Sequence, residues 1–100
     1  MEIKKAAVAG TMESSDCMVT IRPGDGSLDI ELDSDVKVMF GQSILETIRN
    51  TLDGLGVTSA EVEVRDRGAL DCVIRARVEC AACRAAGEAF DWKKEAAYYG

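Results

Sequence analysis

Four short stretches of the chain predict β-strands, two of them because apolar and polar residues alternate with a spacing of two. The first, residues 5–10, is short and rich in alanine. The second, residues 17–21, contains valine, threonine and isoleucine, which favour strands. The third and fourth, residues 28–32 and 61–65, alternate aliphatic residues with charged ones. The last two segments therefore predict strands with one buried face and one solvated face.

A spacing of three to four residues predicts helices in two longer stretches. The first apolar stripe begins at Val36, and Asp33 or Ser34 just before it is expected to cap the helix. Its members are Val36, Met39, Phe40, Ile44, Ile48, Leu52 and Leu55. The second stretch, residues 70–86, fits both spacings. Its length and its content of alanine and arginine favour a helix.

The order of these elements predicts the fold class. Residues 22–27 contain the single proline and two glycines, which predict a turn and hence a β-hairpin of the second and third strands. The full order, β-β-β-α-β-α, predicts an α+β fold in which an antiparallel β-sheet is covered by two helices. We expect one domain over residues 1–88. In the tail, residues 89–100, Phe90 or Trp92 is expected to pack locally while the rest is partly disordered.

Length and charge narrow the classes of partner. The 100 residues suit one domain, and the net charge of -6 disfavours a nucleic-acid backbone or an anionic membrane as the main partner. The apolar residues 6–9 are too few for the core of a signal peptide, and no apolar run is long enough to span a bilayer. We therefore expect a cytoplasmic protein whose four cysteines stay reduced.

The absence of histidine excludes Cys-His and Ser-His nucleophile pairs and histidine metal sites within this chain. Cys80 and Cys83 form a lone C-x-x-C, which lacks the further ligands that zinc needs. A redox pair of the thioredoxin kind is expected at the start of a helix, whereas these two lie near the end of one. We therefore interpret them as small, partly buried helix residues.

Three further patterns have ordinary structural interpretations. Residues 24–28 include Gly-Ser-Leu, but they belong to the predicted hairpin turn and not to a helix start. A run of carboxylates lacks the glycine and spacing of a calcium loop and is interpreted as a solvated strand face and helix start. Its members are Asp29, Glu31, Asp33 and Asp35. Three arginines suit either a phosphate or carboxylate ligand or a solvated helix face. They are Arg75, Arg77 and Arg84.

Residues 10–16, Gly-Thr-Met-Glu-Ser-Ser-Asp, form a polar segment without helical spacing, which predicts an exposed loop. A serine hydroxyl is a poor nucleophile unless a base activates it, and the chain holds no base of the usual kind. If Ser14 or Ser15 reacts, a separate enzyme must activate it, which indicates modification of the protein after synthesis. By physical reasoning alone, an unmodified loop in which aspartate or serine makes capping interactions is the default interpretation.

This segment resembles the modification loop of citrate lyase acyl carrier proteins, the gamma subunits of that enzyme. Two further blocks, residues 38–41 and 66–77, resemble family segments in the same order, and the region around Trp92 has a counterpart. The resemblance covers nearly the whole chain. It implies an acyl carrier domain that has no catalytic activity of its own.

The resemblance also implies a covalent cofactor. In the family, the serine directly after the glutamate carries it, which here is Ser14, with Ser15 as the second candidate. The implied group is 2'-(5''-phosphoribosyl)-3'-dephospho-coenzyme A, joined to the serine oxygen by a phosphodiester. A dedicated prosthetic-group transferase would install it from a triphosphate precursor. Glu13 and Asp16 are expected to help that transferase recognise the loop, with magnesium bound to the triphosphate.

The implied partners are two catalytic subunits. The alpha subunit, an acyl transferase, would exchange acetyl for citrate on the thiol of the arm, and the beta subunit, a citryl lyase, would release oxaloacetate. The carrier would hold the acetyl and citryl thioesters between them. Three alternatives stay open: the carrier subunit of malonate decarboxylase, an unmodified protein-interaction module and, least favoured, a cysteine-dependent enzyme.

Overall fold

The computed structural model describes residues 1–35 and 37–88, in which it places four strands and two helices. The strands are β1 (Ala7–Gly10), β2 (Cys17–Pro23), β3 (Leu28–Ser34) and β4 (Ala60–Asp66). The helices are α1 (Lys37–Gly54) and α2 (Asp71–Ala86). The α+β class is confirmed, and the ambiguous second stretch is helical. The predictions for Val36, Phe90, Trp92 and the tail fall outside the described residues.

The sheet is mixed, so the prediction of a purely antiparallel sheet is wrong. Its strands lie in the order β1-β2-β4-β3. β1 pairs with β2 and β2 with β4 in antiparallel fashion, whereas β3 and β4 are parallel. Because β4 lies between β2 and β3, those two strands do not form the predicted hairpin. Helix α1 supplies the long crossover that two adjacent parallel strands require.

The core lies between the sheet and the two helices. Helix α2 packs on β1 and β2, while α1 packs on β3 and on α2. Alternate residues of β2 and β4 are buried, which the apolar–polar spacing predicted for β4. The opposite face of the sheet is charged, with an ion pair of 2.7 Å between Arg65 and Glu63. In the described part of the chain, no helix has the length and apolar character needed to cross a membrane.

The structure describes helix α1 from Lys37, and two residues of its apolar stripe lie outside the core. Asp33 and Ser34 are the last residues of β3, and the cap predicted at one of them stays a prediction, because Val36 is outside the described residues. The buried members of the stripe are Ile44, Ile48 and Leu52. In contrast, Met39 is 79% exposed and Phe40 is 51% exposed. Among the described members of the stripe, only those from Ile44 onward therefore pack into the core.

Candidate functional site

The segment between β1 and β2 is an exposed loop, as the sequence predicted. At its base the N–H of Thr11 donates to the carbonyl oxygen of Cys17 over 3.2 Å. Gly10 precedes it with a φ of +94°, and a Cβ at this position would lie only 1.9 Å from the same carbonyl oxygen. Glycine is therefore required where β1 enters the loop.

The tip of the loop is a tight turn with the two serines at its centre. The N–H of Asp16 donates to the carbonyl oxygen of Glu13 over 3.2 Å, which closes a four-residue turn. Ser15 has a φ of +66°, a left-handed conformation that glycine or asparagine adopts more readily. Ser14 is exposed and occupies the first central position. The site prediction for Ser14 required this exposure.

Two backbone hydrogen bonds hold the loop against the turn that leads from β4 into α2. The N–H of Ser15 donates to the carbonyl oxygen of Arg67 over 2.8 Å, and the N–H of Arg67 donates to that of Asp16 over 2.9 Å. The turn is itself fixed by the buried carboxylate of Asp66, which accepts from Ser34 Oγ at 2.8 Å and from the N–H of Ala69 at 2.9 Å. The loop therefore lies on a rigid support.

The carboxylate of Asp16 joins the loop to helix α2. Nε and Nη2 of Arg77 donate to its two oxygens over 3.1 and 3.0 Å. Thr11 Oγ1 donates to it over 2.6 Å, and the N–H of Cys17 donates over 2.7 Å. Partial burial alone would raise the pKa of Asp16, but these hydrogen bonds and the charge of Arg77 hold it below its usual value.

Of the predicted site residues, the loop brings Glu13, Ser14, Ser15 and Asp16 together, but in different environments. Glu13 is exposed, and its N–H donates to Thr11 Oγ1 over 3.2 Å. The Asp16 carboxylate is instead occupied by Arg77. It therefore shapes the loop, and is less suited to binding magnesium than the sequence suggested. No histidine exists in the chain to activate either serine.

The sequence analysis missed the part that Arg77 plays. The arginines were interpreted as ligands of a phosphate or of a partner's carboxylate, or as a solvated helix face. Instead, Arg77 binds a carboxylate of its own chain, and Arg84 donates to the carbonyl oxygen of Val8 over 2.7 Å. A signal was present, because Asp16 and Arg77 lie in the two segments that carry most of the family resemblance. Two separated segments of this kind are expected to meet in the fold.

None of the four cysteines, all of which lie in the described part of the chain, forms a disulfide bond. Cys17 is fully buried, and burial, with the charge of Asp16 next, raises the pKa of its thiol to about 12. Such a thiol is protonated and unreactive at neutral pH. Cys80 and Cys83 lie in the second half of α2, as predicted. Among the described residues, no cluster of three or more histidine, cysteine or acidic side chains is arranged to hold a metal ion.

Comparison with known sequences gives consistent relatives. The family model described as "Malonate decarboxylase delta subunit (MdcD)", with the short name ACP, matches residues 4–85. A citrate lyase acyl carrier protein of Clostridium perfringens is 52% identical over 94 residues, which cover 92% of this chain and 93% of that protein. A citrate lyase acyl carrier protein of Haemophilus influenzae is 55% identical over 93 residues, which cover 93% of this chain and 97% of that protein. The similarity thus extends over nearly the full length of each chain.

Comparison with solved structures relates the fold to two further proteins. A chain of a Pseudomonas malonate decarboxylase hetero-tetramer superposes with a TM-score of 0.60 at 20% identity, covering 84% of this chain and 87% of that one. A homoserine kinase from Cytophaga hutchinsonii superposes with a TM-score of 0.58 at 13% identity, covering 90% of this chain and 36% of that one. The same fold thus occurs in proteins of different function, and by itself shows no function.

Proposed function

The chain belongs to the family of citrate lyase acyl carrier proteins, and we propose that Ser14 is the residue through which it carries its covalent prosthetic group. The single observation that supports this assignment best is the exposed turn. It presents Ser14 to solvent while Ser15 and Asp16 are tied to Arg67 by backbone hydrogen bonds of 2.8 and 2.9 Å. A fixed, accessible hydroxyl suits modification by an outside enzyme.

The chemistry around Ser14 fits attachment by another enzyme. Phosphodiester formation needs a base to take the hydroxyl proton, and this chain has no histidine to serve as one. The ionised carboxylate of Asp16 is committed to Arg77, so it is poorly placed to take that proton. A prosthetic-group transferase therefore supplies the base as well as the activated precursor. The carrier contributes only the acceptor oxygen and its position.

We propose 2'-(5''-phosphoribosyl)-3'-dephospho-coenzyme A as the attached group. When bound, its terminal thiol supplies the means of carrying acetyl and citryl groups as thioesters. The carrier's own residues hold the point of attachment, since the anchored loop allows the arm to swing while its root stays fixed. A short flexible tether of this kind gives an effective concentration of roughly millimolar at each site within reach.

The proposed partners are the alpha subunit, an acyl transferase, and the beta subunit, a citryl lyase. An acyl carrier works only as part of an assembly whose other subunits perform the chemistry. The net charge of -6 suits docking on basic surfaces of those subunits. The four free thiols fit a reducing, cytoplasmic location.

Glu13 and Asp16 are assigned different parts in loading. Glu13 is exposed beside Ser14, and we propose that it contacts the transferase, where magnesium bound to the triphosphate is a suitable ligand. Asp16 acts through Arg77 by holding the turn in shape. Glu13→Gln should therefore slow loading without changing the melting temperature, whereas Asp16→Asn should affect both.

The main alternative function is that of the carrier subunit of malonate decarboxylase. The name of the matching family model and the name of one similar solved structure both refer to that enzyme. Identities of 52 to 55% over more than nine-tenths of the chain favour citrate lyase. Reconstitution separates the two proposals. The loaded carrier should restore citrate cleavage when mixed with citrate lyase alpha and beta subunits. Restoration of malonate decarboxylation alone would overturn the proposal.

A further inference from the structure

An exposed apolar surface lies where the first turns of α1 meet the turn before α2. It consists of Phe40 and Leu70, which are 51% and 70% exposed, and is here named the α1–α2 apolar surface; Met39, the chain neighbour of Phe40, is 79% exposed. Phe40 and Leu70 line one open groove of about 670 Å³. Aromatic residues and methionine are enriched in the centres of protein interfaces, so a cluster of this composition indicates a binding surface.

Leu70 is also an unusual residue for the position that it occupies at the start of α2. It is the N-cap residue of α2, with extended backbone angles, and its side chain makes no hydrogen bond to the helix. Serine, threonine, asparagine or aspartate at this position would accept a hydrogen bond from a free N–H of the first turn. The leucine therefore forgoes a cap and also exposes apolar surface to water. Such local losses are expected where a residue serves binding.

The groove is continuous with the loop that presents Ser14. Gly68 lines the groove, and its neighbour Arg67 makes the two backbone hydrogen bonds to Ser15 and Asp16. A molecule bound in the groove therefore lies next to the point of attachment. Because the loop and the turn are tied together, that molecule would also face Ser14 in a fixed orientation.

Charge decides which kind of molecule suits the groove. Asp71 lines it, and the exposed carboxylates of Asp33 and Asp35 pair with Arg67, the chain neighbour of the lining residue Gly68. Arg67 lies between those two at 3.3 and 3.5 Å and offsets one of the three negative charges. The remaining negative field disfavours the anionic arm as the occupant. It favours a protein surface on which lysine or arginine borders an apolar pocket.

We propose that the α1–α2 apolar surface is the docking face by which the carrier binds a catalytic subunit bearing such a basic-rimmed apolar pocket. Docking there sets the root of the arm at that subunit's active site. This inference rests on the proposed carrier function, and adds to it the residues that recognise the partner. Phe40 and Leu70 are the central contacts, and the acidic residues around them steer association.

The test is direct binding of the full-length bare carrier, made without the transferase, to purified alpha and beta subunits by titration calorimetry. Phe40→Gln and Leu70→Ser should each weaken binding to at least one subunit by roughly tenfold or more, as central interface residues do. Leu70→Ser should also raise the melting temperature because serine supplies the missing cap. Weaker binding by a more stable variant cannot be ascribed to unfolding.

Val8→Thr is the matched control, since Val8 is 47% exposed in β1, away from the groove, and threonine keeps its shape. It should leave affinity within about twofold of the wild type. Unchanged affinity of both Phe40→Gln and Leu70→Ser, beside a wild type that binds, would overturn the docking face alone. A wild type that binds neither subunit and carries no arm in its host would overturn the carrier function too.

The arm itself is the competing occupant, and amide spectra of bare and loaded carrier without partner subunits distinguish it. We expect that the amide signals change only in the loop around Ser14 and in the turn between β4 and α2 that supports this loop. Large shifts at Phe40, Ser43 and Cys72, which line the groove, would show that the arm occupies it and would overturn the proposal.

Discussion

Gly10 closes β1 at a point where a side chain has no room. A Cβ would lie 1.9 Å from the carbonyl oxygen of Cys17, and φ is +94°. We predict that Gly10→Ala lowers the free energy of unfolding by about 3 kcal/mol or more, because strain and overlap with main chain act together. Urea unfolding followed by circular dichroism measures the change.

Gly26→Ala is the matched control for this prediction. The φ of Gly26 is +109°, yet no atom lies within 4 Å of its Cβ position. Strain acts there without overlap, and the expected loss is about 1 to 2 kcal/mol. If Gly10→Ala and Gly26→Ala lower the free energy of unfolding equally, the overlap with the Cys17 carbonyl does not contribute to the effect at Gly10.

Ser15 holds a strained backbone conformation at the tip of the loop, with a φ of +66°. Ser15→Gly should raise the free energy of unfolding by about 0.5 to 1 kcal/mol, because relief of the left-handed penalty exceeds the added entropy of the unfolded chain. Ser14→Gly, one residue earlier and outside the left-handed region, should lower it by a similar amount. Thermal unfolding of both variants tests the signs, and a loss of stability in Ser15→Gly would contradict this turn geometry.

At the scale of elements, the ion pair of Asp16 and Arg77 connects the loop to α2. We predict that Asp16→Asn lowers the free energy of unfolding by about 1 to 2 kcal/mol at pH 7, as expected for partly buried, charged hydrogen bonds. The pKa of Asp16 is lowered in the folded protein, so this contribution is present above the ordinary value of 3.8. It should disappear as the pH falls from there through the folded-state pKa.

A double-mutant cycle isolates the pair from other effects of each change. Asp16→Asn and Arg77→Gln should show a coupling free energy of about 1 kcal/mol at pH 7, which denaturant unfolding measures. If the two changes in the free energy of unfolding are additive, the ion pair does not link the loop to the helix. A coupling free energy that persists below the folded-state pKa of Asp16 would exclude the ion pair in the same way.

The elements themselves were largely predictable, and their pairing was not. Alternation in β3 identifies its buried face, because the pleat puts every second side chain on one side. It does not identify the neighbouring strand, and the glycine-rich turn after β2 reverses the chain without pairing β2 to β3. The helix between β3 and β4 was the available signal, since parallel neighbours need such a crossover.

The same limit explains the error at Met39 and Phe40. Helical spacing tells which residues share a face of α1, but not how far along the helix the sheet and α2 cover that face. Among the described members of the stripe, burial begins at Ile44. A stripe longer than the packed length of its helix leaves apolar residues outside the core. In this protein one of them, Phe40, lines a groove together with Gly68, in the turn that is hydrogen-bonded to the loop between β1 and β2.

At the scale of the whole molecule, the proposed role of the fold is to position the Ser14 oxygen and to leave the reactions to other subunits. An exposed, polar serine loop and a missing base were readable from the sequence, because they depend on composition. The assignment of Ser14 over Ser15 came from resemblance alone. The contacts through Arg67 and Arg77 that fix the turn join residues 51 or more positions apart, and local patterns carry no information on them.

The attachment of the prosthetic group to Ser14 is tested most directly by mass mapping of the loop. Wild-type, Ser14→Ala and Ser15→Gly carriers would each be isolated from cells that produce the transferase, then digested and analysed. The added mass should lie on the loop peptide of the wild type and of Ser15→Gly, and be absent from Ser14→Ala. A modified Ser14→Ala carrier, or a bare wild type beside an active transferase, would contradict it.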